Sequence, residues 1–324
     1  MKKKIFDCFL YDGEKELLKL RLLYNNPFVY KFILVQSKIS FKGSIKEKDP
    51  ILLEEIISWE QNLASKVKII NLNYKDFLNA TRPHEREIIS RGAFVKGLNS
   101  ANKNDLILIS DVDEIIDCKK LLELNLNQKI IYRLNIYFTY FSFNNLCISS
   151  PWWGAPIVFD FSIYKERNLN LSRIRQVGEF KSLIPKNIKE KKLYYFGIHL
   201  SFLGGYKAAL TKLQNYSDSP INLSKFTKEY YMMKILSGGD IFERKLIWKI
   251  VNKENFLLDK KLLEMIDKPP FFDKNFNFKF SQNNPFLKIY LKLLTFSVNI
   301  FYRKILFIFF ILFFKKSYSQ KNNF

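Results

Sequence analysis

Short apolar runs alternate with helical stretches along the first third of the chain. IFDCFL (5–10) precedes EKELLKLRLLY, in which Leu17, Leu20 and Tyr24 share one helical face. VYKFILV (29–35), KVKIINL (66–72) and DLILIS (105–110) follow, the last two each after a helical stretch. Runs this apolar, separated by helices, predict βαβ units, so the expected fold is α/β with a mostly parallel central sheet covered on both faces. From about residue 129 the pattern changes to aromatic-rich strand candidates, IIYRLNIYFTYFSF and PIVFDFSIY, and helical segments return at 205–217 and 224–236. No internal repeat and no Gly/Ser linker interrupts the chain. One domain over 1–280 and a distinct tail over 281–324 are therefore expected.

The run DLILIS ends in DVDE, which places Asp111, Asp113 and Glu114 where a strand meets water. In parallel sheets ligands bind outside the carboxyl ends of the strands, and that is where these acids fall. Carboxylates at i and i+2 on an extended turn point to one side, so Asp111 and Asp113 can share a hard divalent cation, Mg2+ or Mn2+, with waters and phosphate oxygens. Such a cation neutralises a nucleoside diphosphate as it departs. The simpler alternative is that one of the pair caps the helix that starts near Asp117. His199 is one of two histidines and follows the strand-like KLYYFGI, a second candidate for the ligand edge, as a metal or phosphate partner. His84, before a helix, reads as a capping or surface residue. Gly204 and Gly205 either let backbone approach a ligand at a helix start or form a tight turn.

Composition narrows the class. Of 324 residues, 48% are hydrophobic and 16% aromatic, which excludes a disordered chain. Cys8, Cys118 and Cys147 are odd in number and form no CxxC pair, so they make neither a disulfide framework nor a metal knuckle. A reducing, cytoplasmic compartment fits. MKKKIFDCFLYDGE begins like a signal peptide, but Asp7 interrupts its apolar segment, and it reads as mature protein opening into a strand. The net charge of +22 accompanies heavy use of Lys, Asn, Ile and Phe, as coding bias would produce. The charge is spread along the chain without a known nucleic-acid module, so no nucleic-acid partner is expected.

Four stretches in order, IFDCFLYDGEKELLKLRL (5–22), ILVQSKISFKG (33–43), LILISDVDEI (106–115) and YFGIHLSFLGG (195–205), resemble glycosyltransferase family 17. A weaker fifth is REIISRGAFVKGL (86–98), where Arg86, Glu87 and Arg91 match the family's Arg-Glu-x-x-x-Arg helix. The resemblance implies a GT-A type, Rossmann-like nucleotide-sugar-binding domain, a UDP-N-acetylglucosamine donor, a divalent metal and inversion at the anomeric carbon. On that basis Asp111, Asp113 and His199 are the expected metal residues, and Asp111, Gln36, Arg86, Arg91, Gly204 and Gly205 are expected to face the donor. The family usually carries Glu where this chain has Gln36, an amide that can still hydrogen-bond a sugar or ribose hydroxyl.

Inversion needs a base for the acceptor hydroxyl, usually Asp or Glu. Asp160 and Glu179 are the candidates downstream of the acidic motif, and Glu114 is a third, either as base or as a group orienting Asp113. Arg173 and Arg175 form an alternating pair suited to phosphate or an acidic acceptor, with a solvated face as the plainer account. Trp152 and Trp153 can stack on a sugar ring, or belong to the core. A glycan or lipid-linked glycan is the expected acceptor, by analogy. A metal-dependent nucleotidyltransferase would also use paired aspartates on a sheet edge, and a basic nucleic-acid binder would use the net charge alone.

From Lys274 onward there are nine Lys or Arg and no Asp or Glu. Lys288, Lys292, Thr295, Asn299 and Arg303 recur at helical spacing on an otherwise apolar stretch. The run Ile305 to Phe314 is too short to span a bilayer, which takes about 20 residues. The tail is therefore expected to be an amphipathic and hydrophobic helical anchor lying on the inner face of the membrane, the plainer alternative being a helix packed on the catalytic domain or a partner subunit.

Overall fold

The computed structural model of the chain describes residues 3–124, 126–127, 129–167, 169–172, 174–175, 188–215, 223–268 and 271. Arg173, Glu179 and the 281–324 tail lie outside the described residues. The expected βαβ order holds at the start. Strand β1 (Ile5–Tyr11) leads through helix α1 (Lys15–Asn25) to β2 (Lys31–Ser37). Helices α2 (Leu53–Trp59) and α3 (Leu63–Lys66) then precede β3 (Val67–Leu72), and α4 (Pro83–Gly92) precedes β4 (Leu106–Asp111). These four strands lie parallel in the order β3-β2-β1-β4.

Alternating side chains of β1 divide the core. Ile5 and Phe9 pack with Leu18 and Leu22 of α1 and Ile56 of α2. Phe6, Cys8 and Leu10 face the other way, against Phe77, Phe94 and Leu98. A strand buried on both faces has no polar side, and this is why its sequence is almost continuously apolar.

Beyond β4 the sheet departs from expectation, because it is mixed rather than mostly parallel. The next elements are β5 (Glu114–Ile116), α5 (Cys118–Glu123), β6 (Ile130–Tyr140), β7 (Asn145–Cys147), β8 (Trp152–Trp153) and β9 (Ile157–Asp160). β9 runs antiparallel to β4 and to β6, and β7 and β8 are antiparallel to β6. Only four residues separate β6 from β7, too few for the crossover that a parallel neighbour needs. FSIY, expected to continue the β9 strand, instead opens helix α6 (Phe161–Arg167).

The remaining elements are β10 (Lys189–Ser201), α7 (Gly205–Asn215), α8 (Lys228–Ser237), β11 (Trp248–Ile250) and α9 (Lys260–Ile266). β10 runs parallel to β6, its register shifts between Tyr194 and Ile198, and its end pairs with β5, with His199 opposite Glu114. The bulge needs Gly197: its φ is +151°, and a Cβ there would meet the Ile115 carbonyl oxygen at 2.0 Å. This bulge delivers His199 to the acidic turn. No helix among the described residues is long and apolar enough to cross a membrane.

Candidate functional site

The acidic turn is built from below. Asp7 sits in the middle of β1 and is fully buried, so it needs a counter-charge. Arg21 of α1, also fully buried, supplies it: Nε donates to Asp7 Oδ2 at 2.9 Å and Nη2 to Oδ1 at 2.5 Å. The same guanidinium donates through Nη1 to the carbonyl oxygens of Asp111 and Glu114, each at 2.7 Å, and through Nη2 to Ser110 Oγ. One side chain thus holds both ends of the DVDE turn. The helix that follows is capped by Asp117, whose side chain accepts from Lys120 N, so neither Asp111 nor Asp113 is used as the cap.

Each acid of the turn meets a different set of partners. Asp111 accepts from Arg91 at 2.9 Å and pairs with Arg175 at 2.8 Å, and its side chain is one-third exposed (33%). Burial opposes its ionisation, but Arg175 and Arg91 overcome this and hold the carboxyl below its ordinary range. Asp113 is almost buried. Its Oδ2 accepts from Lys212 Nζ at 2.6 Å and lies 3.3 Å from His199 Nε2. Against the cost of burial, Lys212 and then His199 hold it well below the usual carboxylate value. The His199 ring stacks on Phe138 (5.4 Å between centroids, 5° between planes) and lies 4.8 Å from Trp153.

Glu114 is different. It is fully buried, pairs with Arg175, and accepts from the Asp111 amide at 2.7 Å and from Trp153 Nε1 at 2.5 Å. Burial pushes its carboxyl up despite Arg175.

Above the turn lies a cavity of about 480 Å³. Its charged lining consists of Asp12, Glu14, Glu87, Asp111 and Asp113 against Lys46, Arg91, Arg175, Lys212 and Arg244, five of each sign and a net charge of zero. Phe138, Tyr140, Trp153, Phe202 and Phe242 form an aromatic wall.

Among the described residues no three His, Cys, Asp or Glu side chains converge as a closed metal cage. The floor offers a pair instead, the carboxylate of Asp113 and the imidazole of His199. Neighbouring ligands on an octahedral cation with bonds of about 2.1 Å stand about 3 Å apart, and a Mg2+-type ion takes its other oxygens from water and substrate phosphates. The 3.3 Å separation and this donor set fit such an ion.

The other expected residues separate into those at the cavity and those away from it. Arg91 lines it, braced by Glu87 at 2.8 Å. Gln36 reaches it, but its amide is engaged: Nε2 donates to Ile51 O and Asn71 Oδ1, and Oε1 accepts from Ile51 N. Arg86 turns aside to donate to the Phe41 carbonyl at 3.1 Å and packs against Gly43. Gly204 and Gly205, with φ of +89° and +77°, make the turn into α7 and do not line the cavity.

Two expected bases are displaced. Asp160 pairs with Leu106 at the start of β4, the edge opposite Asp111, and lies 3.5 Å from Lys3. Glu114 lies beneath the cavity, absorbed by Arg175 and Trp153, because its side chain points into the protein when those of Asp111 and Asp113 line the opening. His84, expected at the surface, lines the rim, and Trp153 rather than Trp152 reaches the wall.

Sequence reasoning missed Arg21, Glu14, Lys46, Lys212 and Arg244. A signal existed for Arg21, since Asp7 inside an apolar strand calls for a buried cation. The others lie on helices and loops whose local pattern carries no such mark.

The fold and this cavity define an α/β protein with a cavity at the carboxyl end of the parallel strands of a mixed sheet, its charge-bearing side chains gathered from strands and helices far apart in sequence. The model of glycosyltransferase family 17 matches residues 1–176, more than half of the chain, and the protein belongs to that family. No curated protein matches the chain. Among solved structures it is similar to the glycosyltransferase GlyE of Streptococcus pneumoniae TIGR4, at 12% identity and a TM-score of 0.34, over 60% of this chain and 45% of that one. It is also similar to the galactosyltransferase LgtC solved with donor and acceptor sugar analogues (13%, TM-score 0.30, 53% and 62%). A third is 4-diphosphocytidyl-2C-methyl-D-erythritol synthase (13%, TM-score 0.34, 60% and 90%). The chain thus spans less than two thirds of the length of the first two, and at these scores none of the three bears on its substrate.

Proposed function

We propose that the protein is a metal-dependent, inverting glycosyltransferase that moves a sugar, with N-acetylglucosamine as the first choice, from a UDP-sugar to a glycan or lipid-linked glycan acceptor. Family membership supports the reaction class. The observation that carries the metal and nucleotide part is the Asp113 and His199 pair at the floor of a cavity ringed by Arg91, Arg175 and Lys212. Asp113 and His199 would hold Mn2+ or Mg2+, and Asp111 would support the nucleotide side. The ion, when bound, supplies Lewis-acid neutralisation of the departing diphosphate.

The chain's own residues do the rest. Arg91 and Arg175 keep Asp111 ionised and oriented, and present guanidinium donors suited to phosphate oxygens. The aromatic wall gives the cavity an apolar side against which a sugar or base can pack. Glu14 is the lining carboxylate whose carboxyl burial pushes up, which makes it a stronger base than an ordinary glutamate, and with Glu114 and Asp160 away from the cavity it becomes the proposed base. We also carry forward the tail as a monotopic anchor on the inner membrane face, on its sequence pattern alone.

Purified protein incubated with Mn2+ and a panel of nucleotide sugars tests the reading. A UDP-sugar is expected to be consumed with release of UDP, whereas release of pyrophosphate from a sugar phosphate and a nucleoside triphosphate would establish a nucleotidyltransferase. Asp113→Asn is expected to lower turnover roughly 100-fold or more, the size that loss of several kcal/mol of charge stabilisation gives. Near-normal turnover of that variant in Mn2+ would remove the metal assignment.

A further inference from the structure

Asp113 Oδ2 is the oxygen that would ligate a cation, and an ammonium already occupies it. Lys212 Nζ sits 2.6 Å from this atom and 3.8 Å from Glu14 Oε1, against the Phe202 ring at 5.4 Å, with its side chain 22% exposed. Lys212 comes from α7, about 100 residues after the acidic turn, so this contact is made by the tertiary fold and by no local motif. The charges lining the cavity cancel, five against five, so no surplus cation waits for an incoming ligand. Beyond the spare donors that Arg91 Nη1 and Arg175 Nε keep, a nucleoside diphosphate entering this cavity gains a full cationic partner by bringing one in or by opening an existing ion pair. Arg91 and Arg175 each bond two carboxylates, Arg91 through Nε and Nη2 to Glu87 and through Nη2 to Asp111, and Arg175 through Nη2 to both Asp111 and Glu114. Lys212 makes one close contact, to Asp113, with Glu14 farther off at 3.8 Å, from a flexible stem whose donors rotate freely.

We propose that Lys212 gates the cation site. In the free protein its ammonium closes Asp113 to a divalent ion. An arriving diphosphate offers charge-assisted acceptors at the mouth of the same cavity and draws the ammonium across, which leaves Asp113 Oδ2 and His199 Nε2 open together. The two ligands then bind with positive coupling, and linkage makes that coupling equal in both directions. The inference rests on the metal reading of the site given above, and goes beyond it by assigning an order to the free protein: cation site shut, then opened by the nucleotide.

Binding of Mn2+ to the full chain, followed by the loss of the free-ion electron paramagnetic resonance signal, tests this without any turnover. Wild type, Lys212→Met and Lys212→Arg are titrated alone and with saturating UDP, with thermal melts confirming that each is folded. Lys212→Met removes the ammonium at nearly constant length and is expected to bind Mn2+ at least tenfold more tightly than wild type in the absence of UDP, and to lose most of the enhancement that UDP gives wild type. Lys212→Arg keeps the charge and is expected to stay within a few-fold of wild type. Should Lys212→Met bind Mn2+ alone within twofold of wild type, while both variants and wild type bind it with UDP, the gate is refuted and the metal site stands. Should no form bind Mn2+ with or without UDP, the metal reading falls and the gate with it.

Discussion

At the scale of single residues, Arg21 decides whether the acidic turn exists. It sits on the helix face predicted to be apolar, next to Leu17, Leu20 and Tyr24, and packs its guanidinium 4.4 Å from the centre of the Phe9 ring. Its donors are divided among Asp7, Ser110 and two carbonyls of the turn, a spread that a planar five-donor fork can cover and a three-donor ammonium cannot. Arg21→Met would leave Asp7 buried without a partner and is expected to cost about 3–5 kcal/mol of unfolding free energy. Arg21→Lys keeps the charge and is expected to fold while losing most activity, because the turn is no longer fixed at both ends. Urea unfolding of Arg21→Met within 1 kcal/mol of wild type would show that the pair is not needed. Asp111, Asp113 and His199 were legible in the sequence because a strand end exposes its acids and because histidine is rare in this chain. Lys212 was not, since one lysine on a helix in a chain with 53 Lys and Arg carries no local signal.

At the scale of elements, α4 presents Arg91 to Asp111, and the start of that helix depends on Glu85. Its carboxylate accepts from the backbone amides of Thr81 and Arg82 at 2.8 and 3.0 Å, and from the Arg82 side chain. Hydrogen bonds from Arg82, backbone and side chain, bring its pKa down to about 2. A carboxyl depressed in the folded state stabilises above its unfolded value of about 4.3 and loses that contribution as pH falls toward the folded value. Glu85→Gln is therefore expected to melt below wild type at pH 6, with the gap closing between pH of about 4.3 and 2. A gap that stays constant over that range would show that the carboxylate charge is not what caps the helix. Strand elements were legible where burial on both faces makes the sequence uniformly apolar, as in β1, β2 and β4. The helix at Phe161–Arg167 was not, because FSIY has strand character along the sequence.

At the scale of the whole molecule, the described core reaches Phe271. Phe271 is the last described residue and joins Leu17, Leu20, Phe256, Leu262 and Ile266 in one cluster. Deleting residues 286–324 is expected to leave the melting temperature within a few degrees of the full chain and to abolish sedimentation with anionic vesicles. The full chain is expected to stay partly bound in high salt, because each buried Phe, Leu or Ile contributes about 1.5–3 kcal/mol against about 1 kcal/mol for each basic residue at the surface. Unfolding of the shortened chain would make the tail part of the core. By itself the sequence determined the βαβ opening and the acidic turn at the carboxyl end of its parallel strands, since each follows from periodicity or from short-range chemistry. Only the tertiary structure decided the rest. The antiparallel half of the sheet is one part of it, and the bulge at Gly197 that sets His199 beside Asp113, with the arrival of Lys212 and Arg175 at the same turn, joins residues 61 to 99 positions apart. Such contacts are selected by packing and charge balance in three dimensions, and a local pattern along the chain holds no record of them.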